Sequence, residues 1–348
     1  MSGQRNLGLD VVRFIAIYCV LIDHGGLNPF GNVLLGGLGV EVFFVLSGYL
    51  IGRIILRNFE AFEGFKTIKD FWINRWFRTI PLYFLALAVQ IMLSGKFEWG
   101  YLYYFVFLQN NFYGISLFPV SWSLVIEEWF YLLLPFLLLI IITLFKRVQL
   151  RYLLGVIALM GIVKYILIDG LNIPFTGVNG NIVLRIDTML IGVCLALIDR
   201  QFPEVFQRLA SKRYFIIGVG CTVIWQFTIH NYYGLEAAMD SVLMRTLYFP
   251  LQSLFIGLTL PYFKHAKVFN HWFKQIPGLA LFITWSSILS YSFYLFHQNI
   301  FHFLLELDLE LSIFWVALAC MYPLSYVLYV AYEKPLTQLR ARFTRKSP

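Results

Sequence analysis

The chain has 348 residues, of which 59% are hydrophobic and 13% are charged, and its formal net charge is +8. Because ordinary soluble domains contain about 25% charged residues, this composition argues against a soluble globular protein and predicts a membrane protein. The four cysteines lie in apolar runs, without the spacing of a metal site or a disulfide framework.

Ten apolar runs of helix length predict ten transmembrane helices. In chain order they cover residues 7–27, 35–56, 79–94, 121–145, 151–168, 182–199, 214–230, 244–263, 279–305 and 311–332. The short apolar stretch 101–113 is interpreted as a re-entrant or interfacial segment, with an eleventh span as the alternative. We therefore predict an all-α polytopic membrane protein with one transmembrane domain, residues 1–335, and a short basic cytoplasmic tail, residues 336–348.

The basic residues predict the orientation of these spans. With the N-terminus in the cytoplasm, 22 of the 27 Lys and Arg residues fall in cytoplasmic segments and only Lys96 lies in an outer loop. This asymmetry follows the positive-inside rule and places both termini in the cytoplasm. It also accounts for the net charge, so we expect no nucleic-acid partner.

The first predicted span, with the sequence LDVVRFIAIYCVLIDH at 9–24, contains Arg13 and His24 within an apolar run. Ionisable side chains at membrane depth are costly and usually functional. The two residues are eleven positions apart, which is three helical turns plus about 20°, so they share one helix face about 16 Å apart. The pattern therefore predicts a cation and a titratable imidazole on one face.

The predicted orientation also assigns a depth to the other polar residues. His24, Glu127, Arg185 and His297 are expected in the outer half of the membrane, on four different helices. A basic cluster, Arg53, Arg57, Arg75 and Arg78, is expected at the cytoplasmic face. Glu128 is expected to be a satisfied surface residue.

This distribution of polar residues fits a reaction whose two substrates arrive from opposite sides. Arginine suits phosphate groups, so the basic cluster could hold a phosphorylated donor such as a coenzyme A thioester. Histidine is the commonest general base, and a neighbouring carboxylate can orient it. His24 with Glu127 could therefore activate an acceptor hydroxyl.

Seven segments, in this order, resemble acyltransferase family 3, whose members are integral membrane proteins. They are LDVVRFIAIYCVLIDH at 9–24, GGLGVEVFFVLSGYLIG at 36–52, FWINRWFRTIPLY at 71–83, SWSLVIEEWFYLLLP at 121–135, RIDTMLIG at 185–192, SYSFYLFH at 290–297 and YEKP at 332–335. The resemblance implies an O-acyltransferase that uses cytoplasmic acetyl-CoA, or another acyl-CoA, and no metal. The implied acceptor is a hydroxyl of an extracytoplasmic sugar, such as O-antigen, exopolysaccharide or a lipid-linked glycan. The implied location is the lipid bilayer of the bacterial cytoplasmic (inner) membrane, which the chain crosses several times.

The resemblance also implies roles for individual residues. His24 would be the catalytic base or a transient acyl carrier, Arg13 would be needed for activity or donor binding, and Glu127 would support His24. Arg75 and Arg78 would contact the donor phosphates. Further donor-binding candidates are Arg53 and Ser47, although the neighbouring Gly48-x3-Gly52 could instead be a helix-packing notch. The other site candidates are Asp10, Arg185, Tyr131 and His297.

Two alternatives concern the reaction as a whole. Larger members of the family continue into a periplasmic esterase-like domain, so we expect either direct transfer to the acceptor or a separate periplasmic partner; the oligomeric state stays open. A proton-coupled secondary transporter is the alternative function, because buried Arg, Glu and His in ten spans also describe such carriers. The sequence shows no internal repeat and no matching pair of Gly/Pro-broken spans, which favours the enzyme.

Overall fold

The computed structural model describes residues 5–31, 33–232, 234, 239–265, 275–307 and 313–344. Over these ranges the chain forms helices and no β-strand, which confirms the all-α prediction. The helices are α1 Leu7–His24, α2 Leu35–Asn58, α3 Phe65–Ser94, α4 Leu102–Phe105, α5 Gln109–Phe112, α6 Trp122–Phe145, α7 Leu150–Gly170, α8 Phe175–Gly180, α9 Ile182–Gln201, α10 Pro203–Leu209, α11 Lys212–Phe227, α12 Val242–His265, α13 Leu279–Glu306, α14 Ile313–Leu328 and α15 Lys334–Leu339. Residues 311–312 of the last predicted span and 345–348 of the predicted tail lie outside the described residues.

Each of the ten predicted spans coincides with a helix. Among the described residues, seven helices are long and apolar enough to cross a membrane: 35–58, 65–94, 119–145, 150–170, 242–265, 279–306 and 313–342. Helices α1 and α9 carry several charged residues, and α11 has only 16 residues. The chain is therefore a multi-pass membrane protein, and the crossing of these three further helices stays a prediction.

Helix α3 begins at Phe65, well before residue 79, where the apolar run begins. Charged residues end the apolar run but do not end the helix, because lysine and arginine are good helix formers. Gly64, with a positive φ of 71°, precedes the first turn, and Pro81 is the only proline inside α3. Arg75 consequently lies about 15 Å along the helix from its first residue.

The stretch 101–113 folds as two helices of four residues each, α4 and α5. Each is about 6 Å long, whereas the hydrocarbon core of a bilayer is about 30 Å thick, so an eleventh span here is excluded. Buried Gln109 donates from Nε2 to Ser121 Oγ at 3.1 Å, and Asn110 Nδ2 donates to Trp122 O at 2.9 Å. The segment is therefore fastened to the beginning of α6.

The contacts within the chain divide it into two compact units, which we describe separately. Unit 1 consists of residues 1–53, 148–179 and 183–290, and unit 2 of residues 54–147, 180–182 and 291–348. In unit 2, the beginning of the predicted tail is helical and packs on α3, where Thr337 Oγ1 donates to Phe77 O at 3.5 Å and the Phe343 ring lies 5.5 Å from that of Phe77. The grouping of residues 1–335 as one domain stays a prediction.

In unit 1, glycines bring α2 close to α1 and α9. A Cβ atom added to Gly48 would lie 2.1 Å from Met189 O, and one added to Gly192 would lie 2.3 Å from Val45 O. A Cβ atom on Gly39 would lie 2.4 Å from Ala16 O. Because these neighbours are backbone atoms, they cannot turn aside. Gly48 is therefore a helix-packing residue, as the notch alternative predicted.

We expect Gly48→Ala to lower the free energy of unfolding by about 2 kcal/mol, because an overpacked contact forces two helix backbones apart. Gly161→Ala in α7 is the matched control, since a Cβ atom there meets nothing within 4 Å. Thermal unfolding of both purified variants measures the effect. Equal unfolding midpoints for the two variants would contradict the packing role.

Candidate active site

His24 is the last residue of α1, and its ring has a defined hydrogen-bond partner. Nδ1 lies 2.9 Å from Val20 O. Since a carbonyl oxygen can only accept, the hydrogen must be on Nδ1, and Nε2 of the neutral ring then carries the lone pair. The side chain is exposed at the helix end, whereas the sequence analysis expected it inside the apolar run.

The neighbouring Asp23 fixes the chain that leads from α1 to α2. Asp23 Oδ2 accepts a hydrogen bond from Gly36 N at 2.9 Å, and its Oδ1 accepts one from Asn28 Nδ2 at 2.7 Å. A Cβ atom on Gly36 would lie 2.8 Å from Asp23 Oδ2 and 3.3 Å from His24 Cε1. The glycine therefore allows α2 to begin directly against the imidazole ring.

Arg13 and Asp10 belong to a second polar group in unit 1, at the beginning of α1. The Asp10 carboxylate is buried and accepts from Arg13 Nη1 at 3.1 Å, from Arg5 Nε at 2.6 Å and from Ser287 Oγ at 2.8 Å. Arg13 is thus held by a carboxylate one turn earlier on its own helix. The sequence predicted Asp10 as a site candidate but not the convergence of two guanidinium groups on it.

Arg185 lies in a buried cluster of four charged residues in unit 1. Its Nη2 donates to Glu41, which also accepts from Ser253 Oγ at 3.0 Å, and Lys164 Nζ donates to Asp187 Oδ2 at 3.2 Å. The four charged side chains are at most 3% exposed. The Arg185 guanidinium also stacks 3.4 Å from the Phe249 ring centroid.

Arg185 therefore joins α9 to α2 through its ion pair with Glu41. Together with the Lys164–Asp187 pair, the cluster has no net charge. Glu41, Lys164 and Asp187 could have been found in the sequence as Arg185 was, because each is a charged residue in an apolar helix. The sequence did not show which of these residues pair with each other.

The two remaining candidates of unit 1 lie on α2. Arg53 Nε is 3.5 Å from Asp199 Oδ2. Ser47 is half-buried on the same helix, and its contact with the donor stays a prediction.

In unit 2, three predicted site residues are in direct contact. Arg75 Nη2 donates to Glu127 Oε1 at 2.8 Å and to the Tyr131 hydroxyl, which itself donates to Glu127. The Arg75 guanidinium lies 4.1 Å from the centroid of the Tyr131 ring. Helices α3 and α6 are therefore joined by a closed triangle of hydrogen bonds.

The predicted depths of Arg75 and Glu127 cannot both be right, because the two side chains are in contact. Arg75 was expected at the cytoplasmic face and Glu127 in the outer half, but their direct contact places them at one level. The early start of α3 is the reason, because it carries Arg75 about 15 Å into the helix.

Glu128 was also predicted incorrectly, since it is 7% exposed and not a surface residue. Its Oε1 accepts from Thr79 Oγ1 at 2.7 Å, and its Oε2 is buried without a hydrogen-bond partner among the described residues. A buried carboxylate oxygen without a donor is costly unless the group is protonated or meets a ligand. Two adjacent carboxyl groups of α6 thus have different surroundings.

The last two candidates of unit 2 differ in accessibility. Arg78 is exposed and forms no ion pair with any part of the chain that the structure describes. His297 is fully buried, and its Nδ1 lies 2.8 Å from Tyr294 O. An exposed guanidinium can meet an incoming anion, whereas the buried imidazole bonds a backbone carbonyl of its own helix.

Comparison with known proteins points to acyl transfer. A family model described as "Acyltransferase domain" matches residues 6–332. The O-acetyltransferase OatA of Staphylococcus aureus is 31% identical over 228 residues, which are 58% of this chain and 36% of that protein. The peptidoglycan O-acetyltransferase OatA of Listeria monocytogenes is 31% identical over 188 residues, 48% of this chain and 29% of that protein.

The chain thus spans about a third of the length of these relatives. No solved structure matches it.

The Arg75–Glu127 pair generates a prediction about stability. We expect Arg75→Gln and Glu127→Gln each to lower the free energy of unfolding by about 3 kcal/mol, because each leaves the other charge uncompensated in an apolar setting. The double variant should lose less than the sum of the two. Unfolding midpoints of the four proteins give the coupling.

The exposed pair Lys96–Glu98 is the matched control, and the cycle Lys96→Gln with Glu98→Gln should show no measurable coupling. Additive losses at Arg75 and Glu127 would contradict the prediction.

Proposed function

The chain belongs to acyltransferase family 3, and from this membership we propose that it is an O-acetyltransferase of the bacterial cytoplasmic membrane. It would take the acyl group of acetyl-CoA, or a related acyl-CoA, from the cytoplasm and transfer it to a hydroxyl of an extracytoplasmic sugar. The observation that carries the proposal is the exposed His24 ring, whose Nδ1–H donates to Val20 O. In the neutral ring, Nε2 is then the nitrogen that can accept a proton, which a general base requires.

In the direct form of the mechanism, His24 Nε2 takes the proton of the acceptor hydroxyl. The hydroxyl oxygen attacks the thioester carbonyl carbon and forms the ester bond as the C–S bond breaks. The departing thiolate takes the proton from the imidazolium, so the products are the acetylated sugar and the free thiol. The Val20 carbonyl keeps the ring oriented throughout.

In the relay form, His24 Nε2 itself attacks the carbonyl carbon, and the thiolate leaves. The acyl group is then carried on Nε2 until the acceptor hydroxyl attacks it and the C–N bond breaks, which restores the neutral ring. The hydroxyl proton passes to water, and the released thiolate takes a proton from water. Both forms use the same nitrogen. The relay separates the two substrates in time, so they need not meet in one complex.

We assign the remaining residues according to their surroundings. Arg78, exposed and without an ion pair among the described residues, is suited to a donor phosphate. Arg75 is already engaged by Glu127 and Tyr131, so we assign it to positioning these two side chains. The support of His24 by Glu127 stays a prediction.

The acceptor is proposed from two sources. The family resemblance points to O-antigen, exopolysaccharide or a lipid-linked glycan, and the name of the Listeria relative adds peptidoglycan. All four present sugar hydroxyl groups, which is the chemistry that His24 would activate. Transfer would be direct or would pass through a separate periplasmic partner.

The test is acetyl transfer from radiolabelled acetyl-CoA into inverted membrane vesicles that contain the glycan acceptor. Because general base catalysis contributes typically 10²–10⁴-fold, His24→Ala should reduce the label on lumenal glycan at least about 100-fold, and Arg13→Ala should also reduce it. Each variant must be present in the membrane at the wild-type level.

Unchanged transfer by His24→Ala would remove His24 from the mechanism. The absence of transfer by the wild-type protein, with acceptor present, would favour a transporter.

Gly36 generates a second prediction for the same assay. We expect Gly36→Ala to lower the rate about tenfold, because its methyl group would displace Asp23 and the His24 ring, and small displacements of reacting groups reduce rates strongly. Gly37→Ala is the matched control, since its Cβ atom meets only Leu34 Cβ at 3.6 Å. Equal rates for the two variants would show that the position of the ring does not depend on Gly36.

A further inference from the structure

Asp23, the residue before His24, has a carboxylate whose hydrogen-bond donors are neutral. Its Oδ2 accepts from Gly36 N at 2.9 Å, and its Oδ1 accepts from Asn28 Nδ2 at 2.7 Å. A backbone amide and a side-chain amide carry no net charge. Among the residues that the structure describes, no basic side chain forms an ion pair with Asp23. The negative charge of Asp23 is therefore oriented by its donors but not compensated by them.

Three other carboxylates of the predicted site and its partners differ from Asp23, because each is paired with an arginine. These pairs are Asp10 with Arg13, Glu41 with Arg185 and Glu127 with Arg75. Opposite charges in contact cancel each other's field at larger distances, so a paired carboxylate has little effect on a third group. The carboxylate of Asp23 keeps its effect on a cation that forms beside it.

The Asp23 carboxylate lies close to the His24 ring. A Cβ atom added to Gly36 would lie 2.8 Å from Asp23 Oδ2 and 3.3 Å from His24 Cε1, so these two atoms are at most 6.1 Å apart. Cε1 is bonded to both ring nitrogens, and a carboxylate beside it therefore acts on a charge at either nitrogen. At about this distance, an opposite charge favours the charged form of an ionisable group.

The segments around the ring are α1, residues 25–34 and the beginning of α2. Val20 contacts the ring through its backbone carbonyl, and Gly36 has no side chain. Residues 25–34 include no titratable side chain, and the first one on α2 is Glu41, which belongs to a buried ion pair. The charge that faces the ring from these segments is therefore that of Asp23.

We propose that Asp23 is a positioning residue that stabilises the cationic form of the His24 ring. This role rests on the proposed function of His24. In the direct form of the mechanism, the ring becomes positive when Nε2 takes the hydroxyl proton. In the relay form, it becomes positive when Nε2 takes the acyl group while Nδ1 keeps its hydrogen. The carboxylate lowers the energy of both cations, and it leaves Nε2 to the substrates because its two oxygens are directed to Asn28 and Gly36.

The experiment measures proton uptake by the His24 ring. The full-length protein, labelled at histidine Cε1, is titrated by NMR in nanodiscs, and His24→Ala assigns the signal. Asp23→Asn removes the charge and nearly keeps the size of the side chain. In this variant the ring should take up its proton at a pH lower by between about 0.5 and 2 units, the effect of a unit charge at about 6 Å for effective dielectric constants between about 80 and 20.

Asp169→Asn is the matched control. Asp169, like Asp23, is the penultimate residue of a helix in unit 1, and the structure describes no contact between it and His24. Equal titration midpoints for Asp23→Asn and Asp169→Asn would overturn the proposal.

Asn28→Ala separates the charge of Asp23 from the conformation of the connecting segment. It removes the hydrogen bond to Asp23 Oδ1 and keeps the carboxylate, so the titration midpoint should stay closer to that of the wild type than in Asp23→Asn. A shift as large as that of Asp23→Asn would assign the effect to the conformation of the segment and overturn the role of the charge.

The second readout is acetyl transfer in the vesicle assay. Asp23→Asn should lower kcat by up to about tenfold, because a less stable cation raises the barrier, and the KM for acetyl-CoA should not change.

The titration does not depend on acyl transfer, so the two proposals can fail separately. If Asp23→Asn shifts the titration and the wild type transfers no acetyl group, the role of Asp23 toward His24 stands and the proposed reaction fails. If acetyl transfer proceeds and Asp23→Asn changes neither the titration nor kcat, the reaction stands and the role of Asp23 fails.

Discussion

The cost of placing charge in an apolar environment is the constraint on which this structure depends. A single charge left unpaired there costs several kcal/mol, so each charged side chain within an apolar helix needs a partner on another helix or on the next turn. The pairs Arg185–Glu41 and Lys164–Asp187 join α9 to α2 and to α7 in unit 1, and Arg75–Glu127 joins α3 to α6 in unit 2. The attraction in such an ion pair falls as the distance between the two charged groups grows. The pairs therefore limit how far one helix can slide along another.

The side chains that we propose for the reaction lie outside these buried ion pairs. His24 is exposed at the last residue of α1, and Arg78 is exposed one turn after the paired Arg75. The close approach of α1 and α2 at Gly39 and Gly36 holds the His24 end of the helix in place. In unit 1, the contact between α1 and α2 therefore holds His24 in place while its side chain remains accessible, and preorganised catalysis requires groups that are held in this way.

The sequence predicts the helices of this protein well and their partners poorly. The apolar runs located all ten long helices, and the short polar end of 101–113 correctly indicated that this stretch does not span. The start of α3 was missed because the charged residues before Thr79 end the apolar run, although no glycine or proline lies between Gly64 and Thr79 to end the helix. The ion-pair partners could not be predicted for a different reason, which is their separation in the sequence. Arg185 and Glu41 are 144 positions apart, and Arg75 and Glu127 are 52 apart. Composition shows that a buried charge needs a partner, but only the packing of the helices shows which one, and the same holds for the burial of Glu128 beside Thr79.

The tautomer of His24 links the two forms of the proposed mechanism. With its hydrogen directed to Val20 O, the ring presents only Nε2 to the substrates, whether that atom takes a proton or an acyl group. The hydrogen on Nδ1 stays in place in both forms, so the positive charge that develops on the ring is stabilised by the same backbone carbonyl. Val20 contributes through its backbone alone, so its side chain has no part in this hydrogen bond, and the geometry depends instead on α1 remaining helical up to its last turn. The ring is therefore positioned by secondary structure and by the space that Gly36 leaves, and neither form of the mechanism needs a different arrangement of unit 1.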